Sequence, residues 1–192
     1  MRQGERLVFR GKIDCTHNIR YVIELGKAFP LITGGASGTA ILAGMADSEV
    51  ETVLAEGGFE QHTPISLTDA DAFRRTIAAD RQLGYSVSRG RWVRNGAGVS
   101  APFFGPHGAC VGALTLSCPA DRLEPVLIPE VGTAVLDASR RLSRRIGYLG
   151  WWALRAVCVS SGALLSRRTR LCGSLPTRRV HGYATAWPLA GL

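Results

Sequence analysis

Residues 84–119, GYSVSRGRWVRNGAGVSAPFFGPHGACVGALTLSCP, hold the stretch on which the fold turns. Two strand-like runs flank the tight-turn sequence Gly105-Pro106-His107-Gly108, the pattern of a β-hairpin. Upstream, Gly84-Tyr85-Ser86 follows a helical segment that Gly84 terminates. From Ala109 to Cys118 the side chains alternate between two faces. Cys110, Gly112, Leu114, Leu116 and Cys118 share one, the expected side of the main core. Val111, Ala113, Thr115 and Ser117 share the other. Two hydroxyls beside small apolar groups suit either a semi-polar pocket or a sheet face turned to water.

Working outward, Ala70, Phe73 and Ile77 are spaced to share one helix face, and the apolar stripe is expected to stop at Asp80. Thr68 is the expected cap of that helix, with Asp69 and Asp71 placed well against its dipole. Further upstream, Gly34-Gly35-Ala36-Ser37-Gly38 opens an apolar helix over Thr39 to Met45. A second helix starts at Asp47, where Ser48 and Glu51 have capping-box spacing, and Gly57-Gly58 ends it. Arg6 to Asp14 and Arg20 to Glu24 read as short strands with a turn at His17-Asn18, followed by a loop from Gly26 to Pro30. Downstream, Val131, Ala134, Val135, Ala138, Leu142 and Ile146 recur at helical spacing. Arg140, Arg141, Arg144 and Arg145 complement the dipole at that helix's C-terminal end, and Gly147 stops it.

The net charge of +8 invites a nucleic-acid reading, but its distribution removes it. Residues 1–137 carry 13 Lys and Arg against 15 Asp and Glu, whereas residues 138–192 carry 10 Arg and no acid. The globular part is therefore near neutral and the basic character belongs to the end of the chain. Five cysteines without a CxxC pair disfavour a disulfide framework and a zinc site, and suit a reducing cytosol. The mixed polar start at Met1-Arg2-Gln3-Gly4-Glu5 leads us to expect no signal peptide. The apolar run Leu149 to Leu165 is short for a span and carries Arg155, so no membrane crossing is expected.

Three segments in this order resemble the effector-binding domain of the IclR family of bacterial transcription regulators: Pro30 to Met45 (PLITGGASGTAILAGM), Gly84-Tyr85-Ser86 with the loop behind it, and Ala97-Gly98-Val99-Ser100-Ala101-Pro102. Thr39 stands where the family usually has lysine. Ser88, Arg89, Gly90 and Arg91 stand in a loop that often carries acids. The resemblance covers roughly residues 5–147. It implies an α+β, GAF-like fold, a curved antiparallel sheet packed with helices, with a small-molecule pocket on one sheet face. Residues 1–147 then form the effector-binding domain, and residues 148–192 a basic tail that is irregular or foreign to the fold.

A glycine-rich turn entering a helix can hold an anion on its free N–H groups, or can be plain helix entry with close backbone packing. Trp92 can stack on a ligand, or pack in the core or on a partner. With positions that line the family's pocket, these give a candidate effector site of Ala36, Ser37, Gly38, Ser88, Trp92, Gly98, Thr115 and Ser117. Gly98 replaces a larger residue and enlarges the expected pocket. The expected effector is a small organic acid, aromatic acids included, with its carboxylate toward Ala36-Ser37-Gly38 and its body on Trp92.

Catalysis finds little support. Ser37 and Cys118 are conceivable nucleophiles without a nearby His/Asp pattern, and His17, His62, His107 and His181 are scattered, so no cofactor or metal is expected. The expectation is a non-enzymatic, cytoplasmic, truncated sensor that self-associates as a dimer or tetramer. It would meet DNA only through a helix-turn-helix domain absent from this chain. A stand-alone organic-acid-binding module or enzyme on the same scaffold is the alternative.

Overall fold

Strand β5 (Gly96–Phe104) is buried on both of its faces beyond Gly96, and the rest of the molecule is arranged around it. The computed structural model describes residues 1–16 and 23–150. The expected turn at His17-Asn18, most of the expected strand Arg20–Glu24 and the sequence from Trp151 onward lie outside them. Strand β5 pairs antiparallel with β4 (Ser86–Arg89) on one side and β6 (Cys110–Pro119) on the other. Gly98 sits opposite both Ser88 and Ser117, and Val99 opposite both Val87 and Leu116. A second antiparallel sheet is built from β1 (Arg2–Gln3), β2 (Arg6–Val8) and β3 (Ala28–Pro30).

Helices cover both faces of the main sheet. Helix α1 (Ala36–Gly44) lies on one, backed by α2 (Asp47–Ala55) and α3 (Ala70–Leu83), and α4 (Ile128–Arg145) lies on the other. Each face has its own core. Leu31, Ile41, Leu42, Phe73, Ile77 and Phe104 belong to the α1 side, and Tyr85, Val99, Ala101, Val135 and Leu136 to the α4 side. Helix α1 is wrapped by protein, which fits its nearly uniform apolar composition; α4 is half solvated and shows strong amphipathic patterning.

The hairpin, the order of helices and the glycine stop at Gly84, with φ +81°, agree with the sequence reading. Several details differ. Strand β2 ends at Val8 instead of reaching Asp14, and the expected loop before Pro30 contains β3, because Leu7 finds Phe29 as its cross-strand partner. Helix α1 begins at Ala36, three residues early, since Gly35 already serves as its cap. In α2 the Glu49 carboxylate, not Glu51, accepts from the Ala46 N–H at 3.2 Å. Helix α3 is capped by Asp69 rather than Thr68: its carboxylate accepts from Ala72 N–H at 2.7 Å. The α3 stripe does not stop at Asp80, which is buried.

Two expected faces also move. The larger core lies on the α1 side of the sheet, and Leu114 and Leu116 on edge strand β6 remain 37% and 40% exposed. Alternation tells that two faces differ, not which helix packs harder on either. Cys110 crosses to the α1-side core beside the register shift at Phe103/Phe104. On α4 the buried stripe is Gly132, Val135, Leu136, Ser139 and Ser143, one position on from the apolar spacing. Backbone chemistry selects it. The Ser139 hydroxyl donates to Pro102 O at 2.5 Å, and the Ser143 hydroxyl accepts from Phe104 N–H at 3.0 Å, at the shift.

Candidate functional site

On the α1 side of β5 the alternate residues are Gly96, Gly98, Ser100, Pro102 and Phe104, a steady gain in size along the strand. At the Phe104 end the space between sheet and helix is filled. At the Gly96 end it is a cavity of about 300 Å³. The first turn of α1 forms one wall through Gly35, Ala36 and Ser37, and Gly98, Ser88, Thr115 and Ser117 form the floor. Trp92 and Val93, from the β4–β5 loop, with Phe9, Ile23 and Phe29, supply the apolar walls. Glu24 and Lys27, both exposed and 3.1 Å apart, lie at the rim.

The polar end is organised without charge. Ser37 Oγ lies 3.0 Å from Thr115 Oγ1, which lies 2.7 Å from Ser100 Oγ. This hydroxyl chain ties the helix start to the sheet floor. The Thr33 hydroxyl accepts from Gly35 N–H at 3.4 Å, and Gly35 O accepts from Thr39 N–H at 3.2 Å. The N–H groups of the first helical turn have no acceptor within the helix, as at any α-helix start. The helix dipole adds partial positive charge there.

The aromatic wall is a chain of edge-on contacts. Phe9 meets Phe29 at 6.0 Å between ring centroids, and Phe29 meets Trp92 at 5.3 Å with planes 79° apart. Trp92 also lies close over the helix start: a Cβ on Gly35 would be 3.2 Å from its ring. Of the eight residues singled out in the sequence, seven line one cavity. Gly38 does not; a Cβ there would fall 2.1 Å from Leu31 O, so its glycine serves close packing of α1 on the preceding turn. The sequence reading missed Phe9, Ile23, Glu24, Lys27, Phe29, Gly35 and Val93. The Gly96/Gly98 repeat was a readable sign of a floor without side chains. The Phe9–Phe29 wall depends on the three-pair register between two very short strands, for which no sequence pattern exists.

Thr39, at the position usually held by lysine, is fully buried. Its neighbour is Asp80, which also receives the Ser86 hydroxyl. Burial raises the Asp80 carboxyl to about 6, against the opposing pull of Ser86, the Arg91 charge and Thr39. Arg91, in the same loop as Trp92, donates to Val87 O and is itself lowered by burial. The positive charge facing Asp80 thus comes from the pocket loop, not from α1. Cys118 sits on the α4 side of the sheet, paired with Ala97, and burial raises its thiol. Among the described residues no cluster of His, Cys, Asp and Glu could hold a metal ion, and no helix is long and apolar enough to cross a membrane.

A two-sided α/β/α layer with a cavity between helix start and sheet floor defines a GAF-like small-molecule-binding domain. The family model described as "Bacterial transcriptional regulator IclR C-terminal" matches residues 1–144. The chain belongs to the IclR family, and this domain is the effector-binding domain of its regulators. It is 29% identical over 147 residues to the HTH-type transcriptional repressor AllR of Escherichia coli K12, covering 77% of this chain and 54% of that protein. AllR of Klebsiella pneumoniae is 28% identical over the same shares. The chain thus spans about half the length of the curated relatives it matches. Among solved structures, IclR of Thermotoga maritima superposes with a TM-score of 0.73 at 25% identity, over 77% of this chain and 59% of that one. The C-terminal domain of E. coli KdgR gives 0.66 at 23% identity, over 76% and 84%, a likeness of fold. Regulators of this family bind small-molecule effectors and are oligomeric.

Proposed function

We propose that residues 1–147 bind a small organic acid, with aromatic acids fitting best, and that this binding is the input signal of an IclR-type regulator acting in the cytoplasm. The observation that carries the reading is the two-ended cavity. One end offers the start of α1 and the Ser37–Thr115–Ser100 hydroxyl chain, and the other the Phe9–Phe29–Trp92 wall. A carboxylate at the helix start is met by N–H donors and the dipole, with no buried counter-ion required. A ring lies between Trp92 and the Gly98 floor. Ser37 supports binding over catalysis, because its hydroxyl partner is Thr115 and no base among the described residues hydrogen-bonds to it. Reading of operator DNA belongs to a helix-turn-helix region, of the kind named for AllR, and not to the domain matched here.

The test is ligand-induced thermal stabilisation, which reports binding to the native state. Benzoate is expected to raise the Tm, propionate less, and uncharged benzamide not at all. Gly98→Leu places a branched side chain in the cavity and is expected to abolish the benzoate shift. Trp92→Ala is expected to weaken benzoate by about tenfold and propionate hardly, as loss of an aromatic contact is worth roughly 0.5–1.5 kcal/mol. Equal stabilisation of parent and both variants by benzoate would place the site elsewhere.

A further inference from the structure

Trp92 owes its place to a loop that is held from outside the cavity. Between β4 and β5 the chain closes on itself: Gly90 N–H donates to Gly96 O at 2.7 Å, and Gly96 N–H to Val93 O at 2.9 Å. Two braces tie this loop to the α3 segment, and both end on Arg91. From the turn before α3, the Ser66 hydroxyl donates to Arg91 O at 2.7 Å and the Thr63 hydroxyl at 3.3 Å. The same turn presses on the loop's entry, where a Cβ on Gly90 would fall 3.2 Å from Ile65 Cδ1. The Arg91 guanidinium donates to Val87 O and faces Asp80 on α3. Asp80 is buried, with Ser86 from β4 and Thr39 from α1 as its other polar neighbours, and Arg91 is the charged group that acts on it. Neither Arg91 nor Asp80 lines the cavity.

We propose that Arg91 is the positioning residue of the Trp92 wall, and that its pairing with Asp80 sets how well the cavity takes a ring. Trp92 follows Arg91 directly, so the backbone of one does not shift without the other. The Trp92 ring meets Phe29 at 5.3 Å between centroids, and a Cβ on Gly35 would be 3.2 Å from it. Such contacts are sensitive to small shifts, since a gap of about 1 Å forfeits up to half of a dispersion contact. Opposite charges attract more strongly across a buried gap than at a water-facing surface, which makes the pair an effective anchor. The carboxylate end has separate support. Ser37 and Thr115 lie 3.0 Å apart, and Thr115 lies 2.7 Å from Ser100, all three outside the loop. Loosening Arg91 therefore acts on rings and spares carboxylates. The selectivity rests on the reading of the cavity as an organic-acid site; the anchoring of the loop does not.

The test compares benzoate with propionate, each titrated into the full chain and followed by Tm, with circular dichroism to confirm folding. Asp80→Asn keeps the acceptor for Ser86 and Thr39 and removes only the charge; Arg91→Gln removes the other charge. Each is expected to weaken benzoate about three- to tenfold and propionate by less than about twofold. The double variant is expected to lose no more than either single one, because the two act as a unit. With both charges gone, it also carries the test if a single variant fails to fold. In a Trp92→Ala background Asp80→Asn is expected to weaken benzoate no further. Benzoate unaffected, benzoate and propionate weakened alike, or a further loss without Trp92 would each overturn the proposal. A second measurement needs no ligand. Hydrogen exchange of residues 90–96, read by mass spectrometry at fixed pH, is expected to quicken about tenfold in Asp80→Asn, with residues 128–145 unchanged. If benzoate leaves the parent unstabilised, the organic-acid reading fails and this exchange alone decides; loop exchange equal to the parent's overturns the positioning role in either case.

Discussion

The two ends of one strand face make opposite use of the same geometry. At the Phe104 end of β5, Pro102, Phe104 and Cys110 fill the space beneath α1, and a Cβ on Gly44 would fall 2.8 Å from Cys110 Sγ and 2.9 Å from Pro102 Cβ. At the Gly96 end the side chains have shrunk to hydrogen or hydroxyl, and a Cβ on Gly98 would meet Leu116 O at 3.4 Å and Ala36 Cβ at 3.5 Å, ordinary contacts. One helix over one strand thus gives a filled core at one end and an open cavity at the other. What separates them is residue size, not topology.

The sharpest break of this comparison is a matched pair. Gly44→Ala is expected to destabilise by about 2 kcal/mol, as overpacking of a filled core does, seen as a lowered urea midpoint. Gly98→Ala is expected to change stability by less than about 0.5 kcal/mol while reducing benzoate stabilisation. Equal losses at the two sites would mean that the ends do not differ in packing.

Asp80, at the back of the α1 layer, gives the next largest effect. A carboxyl raised from 3.8 to about 6 on folding binds its proton more tightly in the native state. Stability contributed by Asp80 therefore rises as the pH falls through 6 and toward 4. From pH 7 to pH 5 the gain is on the order of 1 kcal/mol. Asp80→Asn keeps an acceptor for Ser86 and is expected to remove this slope, measured as the difference between urea midpoints at pH 5 and pH 7. An unchanged slope would assign it to another group.

The smallest effect falls on the hydroxyl chain. Thr115→Val removes the link between Ser37 and Ser100 and is expected to cost about 1 kcal/mol in the urea-unfolding free energy. It should weaken benzoate and propionate by the same factor in the thermal assay, because it frees the polar end that meets either carboxylate to reorient. Loss of benzoate alone would instead make Thr115 part of the wall around the ring.

The sequence made the elements that obey short-range rules legible. Gly84 as a helix stop, the Gly105–Gly108 turn and the opening of α1 at Gly34-Gly35 each follow from backbone chemistry within a few residues. The floor and helix wall of the cavity were legible for the same reason, since alternation on β6 fixes Thr115 and Ser117 to one face. Four things were not. Asp80 breaks the apolar stripe yet is buried, because Ser86, just past the Gly84 turn, and Thr39, on another helix, satisfy it. The buried stripe of α4 follows two serines that bind the β5 backbone, which no apolar spacing reports. The Phe9 and Phe29 wall depends on register between strands three residues long. Gly38 looked like part of an anion-binding turn and is instead pressed against Leu31.

The size series along β5 has a consequence for how such a protein changes over generations. Gly96 and Gly98 line the cavity, while Val99 and Ala101, on the other face of the strand, hold the opposite core. Substitutions at the glycines can resize the chamber while the residues between them keep the sheet attached to α4. On the proposed function, selectivity and foldedness are assigned to alternate letters of one short word. The first set could then be rewritten, one codon at a time, to suit a new ligand without passing through an unfolded ancestor.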